Sequence, residues 1–389
     1  VVRLGVTVRD RAEAVELIHD GSRCYGAVSR CLRTGEHSAV LAKATVIATG
    51  GHGRIYGQYT TNATINEGMG AAIALNTGVV PLGNMEAVQF HPTALSPSGI
   101  LVTEGCRGDG GDLLDKDGYR FMVDAEPEKQ ELASRDVVSR HMAQRMRDGF
   151  GVATKHGPHL WLDVRHLGDE HLRTKLREVW EICRDFVGLD PAEELVPVRP
   201  TQHYSMGGVR VNAEGEAYNM AGLFAVGEAS CWDMHGFNRL GGNSLAETIV
   251  SGRLVGRRIA QTIGKGGVET ETRYANEALQ TAEERAAELL ARQGDGPGAY
   301  AVRDAMAETM ISKVGIFRTG DELEQAVAEL GELLQDCDRI VLRSKAPGMN
   351  PELSFALRIK NMVRLAYITA KGALERTESR GAHFRSDFP

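Results

Sequence analysis

The chain lacks the features that mark several large classes of protein. It has 6 cysteines in 389 residues. None form a C-x-x-C pair, and their spacing suits neither a zinc site nor an iron–sulfur cluster, so no metal is expected. Thiols scattered through a chain of this size point to free cysteines and a reducing compartment. No run approaches the roughly 18 apolar residues of a membrane helix. There is no basic excess: the formal net charge is −7, which argues against a nucleic-acid partner. There is no internal repeat, no G-x-G-x-x-G, and no serine or cysteine in a nucleophilic setting. What remains, at 42% apolar and 25% charged residues, is the composition of an ordinary globular protein with room for two or three domains.

The organisation reads as α/β followed by α. Residues 2–8 alternate as a strand does, with further strands around Tyr25–Val28 and Val40–Leu41 and a turn at Asp20–Gly21. The run A-T-V-I-A-T-G-G at 44–51 is apolar and ends in paired glycines, the pattern of a buried parallel strand whose C-terminal end meets a ligand. Residues 66–78 read as helix. A second such strand is G-L-F-A-V-G-E at 222–228. The block between, from 94, mixes helices and loops like an inserted domain. Further on, Leu323, Val327, Leu330 and Leu334 repeat at helical spacing, as do residues in 279–291 and 353–374, which predicts a helical C-terminal third.

Chemistry-bearing residues gather in a few places. His91 to Gly111 carries a histidine, a threonine, a carboxylate and an arginine among glycines. It reads as loops bringing polar groups to a pocket, although a glycine-rich surface turn explains it equally well on its own. Glu228 stands at the open end of a strand, where a carboxylate can accept hydrogen bonds from sugar-like hydroxyls. Arg239 precedes Gly241–Gly242 and the polar pair Asn243 and Ser244; Ser244 is the expected cap of a helix from about 245 to 259. Arg135 follows the expected cap Ser134 at the start of a helix to about 147, where its charge opposes the helix dipole. His203 lies before Gly207–Gly208 and is either a core histidine or part of the site. Arginines 107, 135 and 239, histidines 91 and 203, Thr103 and Glu104 suit a dianionic carboxylate better than acyl transfer, because guanidinium forks match carboxylates.

These motifs resemble those of the flavoprotein subunits of fumarate reductase and succinate dehydrogenase. The matching stretches are H-P-T at 91–93, T-E-G-C-R-G-D-G-G at 103–111, S-R-D at 134–136, H-Y-S-M-G-G at 203–208, G-L-F-A-V-G-E at 222–228, H-G-F-N-R-L-G-G-N-S at 235–244 and R-T-E-S-R-G-A-H at 376–383. They occur in family order, and Cys106 with W-D-M-H-G-F-N-R at 232–239 is similar to the menaquinol-linked fumarate reductases. The resemblance implies a partial doubly wound FAD-binding domain (1–93 and 200–268), an inserted α+β capping domain (94–199) and a C-terminal helical domain (269–389). It also implies that the phosphate-binding loop and any flavin-linking histidine precede Val1, and that an extension follows Pro389.

From the same resemblance, His91, Thr103, Glu104, His203 and Arg239 are expected to hold fumarate or succinate. Arg135 is expected to deliver the proton through Glu104 and Asp136, with Arg107 and His91 also catalytic. Ala48, Thr49, Gly50, Glu67, Glu228, Asn243, Ser244 and Leu245 are expected flavin contacts. The resemblance implies that hydride passes between FAD N5 and one alkene carbon and that Arg135 serves the other. Arginine in water is a poor acid, with a reference pKa of roughly 12.5–13.8, so a basic carbanion-like centre is required. The implied partners are an iron–sulfur subunit and a membrane cytochrome b or quinone-binding anchor. The implied location is the cytoplasmic face of the cell membrane, with periplasmic export left open. The alternatives are an L-aspartate oxidase and, from another class, a non-catalytic dicarboxylate-binding or assembly module.

Overall fold

A computed structural model describes residues 2–264 and 272–389. Ala12–His19, Cys24–Cys31 and His37–Leu41 form an antiparallel three-stranded sheet. Its first turn is pinned by Asp20 Oδ1, which accepts from the Ser22 and Arg23 amides at 2.8 Å. The expected strand at 2–8 is absent: Val2–Leu4 is a short 3-10 turn, and Val6 and Val8 are exposed. Alternation alone makes no strand where no neighbouring backbone takes up the N–H and C=O groups. Ile18 and Val28 pack under Ala275 and Ala282 of the helix Thr272–Ala291.

Two short strands far apart in sequence create the first element of the site. Thr45–Ile47 and Leu223–Ala225 pair in parallel, Thr45 opposite Leu223 and Ile47 opposite Ala225. Each then runs into a glycine in the left-handed region, Gly50 (φ +71°) and Gly227 (φ +60°), a conformation that costs a residue with a Cβ. The 223–225 strand is fully buried, whereas Val46 is 42% exposed, so the expected buried strand at 44–51 is buried only in part. The helix Met69–Asn76 follows as expected.

The second element is a stalk. Val88–Leu95 and Val196–Ser205 run antiparallel and continue into Leu160–Asp163 and Asp112–Leu114 as a four-stranded sheet. Residues 95–198 beyond the stalk have a core of their own, built around Leu113, Met122, Met142, Leu162, Leu172 and Val198. His91, Pro92 and Thr93 therefore lie in mid-strand, not in a loop, and all three are buried. Their strand, Val88–Leu95, holds no glycine, since the glycines begin only at Gly99; Pro92, which has no N–H, falls where the ladder slips between His91 and Ala94.

The helices Ala299–Lys313, Gly320–Cys337 and Pro351–Glu375 form the expected C-terminal bundle. Two carry side-chain caps, Thr319 accepting from the Glu322 amide at 3.3 Å and Asn350 from the Leu353 amide at 3.1 Å. The bundle shares one continuous core with the first half: Met306, Leu330 and Ile359 join Ile55, Ala72, Val88 and Leu223.

Neither expected serine cap forms. Ser134 has the extended backbone of a cap residue, but its hydroxyl donates to Asp136 Oδ1 at 2.6 Å, and the regular helix is Arg135–Arg145. The later helix is Asn243–Thr262; Gly242 (φ +77°) starts it two residues early and leaves Ser244 in its first turn.

Candidate active site

The stalk, the first turns beyond it and the 235–242 loop converge on one group of charged side chains. Arg135, at the start of its helix, donates through Nη2 and Nε to Glu104 Oε2 at 2.6 and 2.9 Å, and through Nη1 to Gln89 Oε1 at 3.2 Å. Arg107, fully buried in the turn Gly105–Gly108, lies 3.9 Å from Glu104 Oε1 and donates from Nη1 to the Glu131 carbonyl. Arg239 lies over the Tyr204 ring at 4.3 Å and donates to the Leu240 carbonyl at 2.9 Å. Gln89 ties the two sides together, since its amide also donates to the Arg239 carbonyl at 2.6 Å and to Asn238 Oδ1 at 2.8 Å. Gly241 matters here for lack of a side chain: a Cβ would stand 2.8 Å from Glu104 Oε2 and 3.4 Å from Arg135 Nη2.

Hydrogen-bond partners fix the state of both histidines. The His91 and His203 rings meet edge to face with centroids 5.0 Å apart. The Thr93 amide donates to His91 Nδ1 at 3.2 Å. Burial, reinforced by His203, Arg135 and Arg107, holds the His91 pKa well below the usual 6.5. The ring is thus neutral with its proton on Nε2, and that atom is buried without a partner in the protein. His203 is held down to about 3, by burial first and then by Arg135 and Arg239. Its Nε2 faces Arg239 Nη2 at 3.1 Å and its Nδ1 faces Thr61 Oγ1 at 2.8 Å. Buried N–H groups also lack partners at Arg239 Nε and at Arg107 Nε and Nη2. Buried donors without acceptors are costly, and so many side by side point to a ligand rich in oxygen.

The charges agree. Arg107, Arg135 and Arg239 bring three positive charges and Glu104 one negative, leaving two in excess. Nearby Glu131 and Asp136 are already neutralised by Arg120 at 2.7 Å and Arg140 at 3.1 Å. Asp136 also accepts from Asn238 Nδ2 at 2.6 Å, so its carboxylate is held by Ser134, Arg140 and Asn238 rather than by Arg135 or Glu104. Thr103 Oγ1 accepts from the Gly105 amide at 3.3 Å, which leaves its hydroxyl hydrogen free beside Glu104.

Beside this group is the strand-end junction. Glu228 Oε1 accepts from the Ser205 amide at 2.9 Å, and a Cβ on Gly51 would stand 2.4 Å from that oxygen. Burial pushes the Glu228 carboxyl up to about 7, although the Ser205 amide and Arg239 pull the other way. Thr248, in the helix that begins at Asn243, packs against Gly227. Ala48, Thr49, Asn243 and Leu245 keep exposed surface here. Glu67 stands apart: its carboxylate is held by Arg358 Nε at 2.6 Å, against the long C-terminal helix. Behind the loop, Glu247 accepts from Tyr204 Oη at 2.7 Å and pairs with His235 at 2.9 Å. The 376–383 segment buttresses it, since Ala382 donates to the Phe237 carbonyl at 2.8 Å.

The sequence reading missed Gln89, Asn238, Glu131 and Thr61. Each is an ordinary polar residue whose partner lies many positions away, so no local pattern marks it. Among the described residues no His, Cys, Asp and Glu group is arranged to hold a metal, and no helix is long and apolar enough to cross a membrane.

An α/β scaffold with a desolvated, cation-rich site at a strand-end junction is compatible with a flavoprotein, and residues 1–245 match the family model of the FAD binding domain. Residues 303–389 match the model of the fumarate reductase flavoprotein C-terminus. The chain is 47% identical to a fumarate reductase flavoprotein subunit of Helicobacter pylori over 99% of its length, covering 57% of that protein. It is 40% identical to the subunit of that name from Mycobacterium tuberculosis, with 97% of this chain and 66% of the relative covered. A solved E. coli quinol fumarate reductase superposes with a TM-score of 0.89 at 37% identity, covering 97% of this chain and 65% of that one. The chain belongs to the family of fumarate reductase and succinate dehydrogenase flavoprotein subunits, and spans somewhat over half the length of the relatives it matches.

Proposed function

We propose that this chain carries the dicarboxylate site of an FAD-dependent enzyme that interconverts fumarate and succinate. The observation that supports this best is the excess of two positive charges around unpartnered buried donors on His91, Arg107 and Arg239. A dianion with a carboxylate at each end satisfies both the charge and the donors. Charge-assisted bonds of this kind are about twice as strong as neutral ones.

The strand-end junction fits a flavin ring. Gly50 and Gly51 let the backbone come close, Glu228 is a carboxyl whose raised pKa lets it donate as well as accept near neutrality, and the helix start at Asn243 has no side-chain cap, so its positive end is free for an electron-rich edge. Ala48, Thr49, Gly50, Glu228, Asn243, Ser244 and Leu245 would hold it. Bound FAD supplies or takes up the hydride.

The chain's own residues do the rest. His91, Thr103, His203 and Arg239 bind and orient the carboxylates, and Arg135 holds the proton for the other alkene carbon. Glu104, in contact with Arg135 on one side and near Arg107 on the other, is the route by which that proton is replaced. Asp136 anchors the helix instead. Residues 94–199 act as a cap on the two-strand stalk, closing water out when substrate is present. Electrons reach the flavin through an iron–sulfur subunit and a membrane anchor, with the complex on the cytoplasmic face of the membrane.

The test uses the complete protein with its natural partners. Fumarate should reoxidise the dye-reduced enzyme and yield succinate, and succinate should reduce the oxidised enzyme. Failure of both reactions, with the flavin present, overturns the reading. Oxidation of L-aspartate by oxygen in place of either would move the protein to the aspartate oxidases.

A further inference from the structure

His203 is held from both sides, and only one arrangement of protons allows this. A guanidinium donates and cannot accept, so His203 Nε2, 3.1 Å from Arg239 Nη2, must present its lone pair. A neutral ring then carries its proton on Nδ1, which leaves Thr61 Oγ1, at 2.8 Å, as the acceptor. Thr61 is well placed to be constant in this role. Its amide donates to the Gln202 carbonyl at 2.9 Å, and the neighbouring Asn62 side chain donates to the His203 carbonyl at 2.9 Å. The 59–62 loop is thus zipped to the very strand that carries His203.

The alternative tautomer sets donor against donor. With the proton on Nε2, the ring would face Arg239 N–H to N–H, and the guanidinium would have to leave its place over Tyr204. That place is what leaves Arg239 Nε unpartnered for a ligand.

We propose that Thr61 is a positioning residue for carboxylate binding: its hydroxyl sets the His203 tautomer that holds Arg239 in register. The inference rests on the dicarboxylate reading of the site. It gives a task to a residue of the T-T-N stretch at 60–62 that substrate contact alone does not explain.

The test is calorimetric titration of the oxidised, flavin-loaded complete protein with fumarate, in the absence of a reductant. Thr61→Val, which keeps the shape and removes the acceptor, should weaken binding about three- to tenfold. Thr61→Ser should bind as the parent does. In a His203→Ala background, Thr61→Val should cost nothing further, because Thr61 acts through that ring. Thr61→Ala serves the same comparison should Thr61→Val fail to load flavin. If the parent binds fumarate and Thr61→Val binds equally well, the inference is overturned. It is also overturned if Thr61→Ser is as weak as Thr61→Val, or if the losses with His203→Ala add. A parent that does not bind fumarate overturns the dicarboxylate reading itself.

Discussion

The Thr93 amide donates to His91 Nδ1 at 3.2 Å, and this one contact turns the opposite nitrogen, Nε2, into a buried N–H with nothing in the protein to receive it. His91 is thereby a ready donor to an anion without carrying a charge. His91→Ala in the complete protein should weaken fumarate binding about 10- to 100-fold, the equivalent of roughly 1.5–3 kcal/mol for a hydrogen bond to a charged group. Titration of the oxidised enzyme measures it, and unchanged affinity would remove His91 from the site.

Arg135 is held by Glu104 and Gln89, and the role proposed for it is that of proton donor. Arg135→Ala should still load flavin and still bind dicarboxylate, but turnover should fall about 10²- to 10⁴-fold, the usual loss for one general acid. Near-parental turnover would dismiss Arg135 as the proton donor.

Glu228 links stability to pH. Its carboxyl is raised from the ordinary 4.5 to about 7 because burial disfavours the charged form. The folded state therefore holds this proton more tightly than the unfolded chain does. The contribution is fully present below about pH 4.5 and is lost as the pH rises through 7. In the flavin-free protein, Glu228→Gln should flatten the fall in Tm across this interval. A parallel fall in parent and variant would show that Glu228 does not titrate there.

Gly381 tests the buttress behind Arg239. Its backbone is left-handed (φ +55°), and a Cβ would stand 2.8 Å from the Phe237 carbonyl. Gly381→Ala should push the 237–239 segment and weaken fumarate binding several-fold from a residue that touches no ligand, alongside a loss of roughly 1 kcal/mol in stability. Binding and Tm both equal to the parent's would mean the segment is not held from behind.

Local pattern was readable wherever it was sufficient. The helices Gly320–Cys337 and Pro351–Glu375 follow from apolar residues at helical spacing, and the parallel strands at 45–47 and 223–225 from short apolar runs ending in glycine. It failed where a partner decides. Residues 2–8 alternate but find no strand to pair with. Ser134 and Ser244 have cap chemistry, but the Ser134 hydroxyl goes to Asp136, and Gly242 starts the second helix earlier. Glu67 is claimed by the distant Arg358, and Asp136 by Ser134, Arg140 and the distant Asn238 rather than by a relay with Arg135 and Glu104.

The sequence by itself determined the chemical inventory and its order: arginines, histidines and carboxylates on motifs that identify the family, and glycines where the backbone must turn or come close. Only the tertiary structure decided what each group does. Proton positions on His91 and His203, the division of Glu104 and Asp136 between Arg135 and Arg140, and the exposed helix start at Asn243 all depend on contacts between residues far apart in the chain. Such contacts are set by how two cores and a stalk pack together, and a hydrogen bond's donor and acceptor are defined only once both partners are in place.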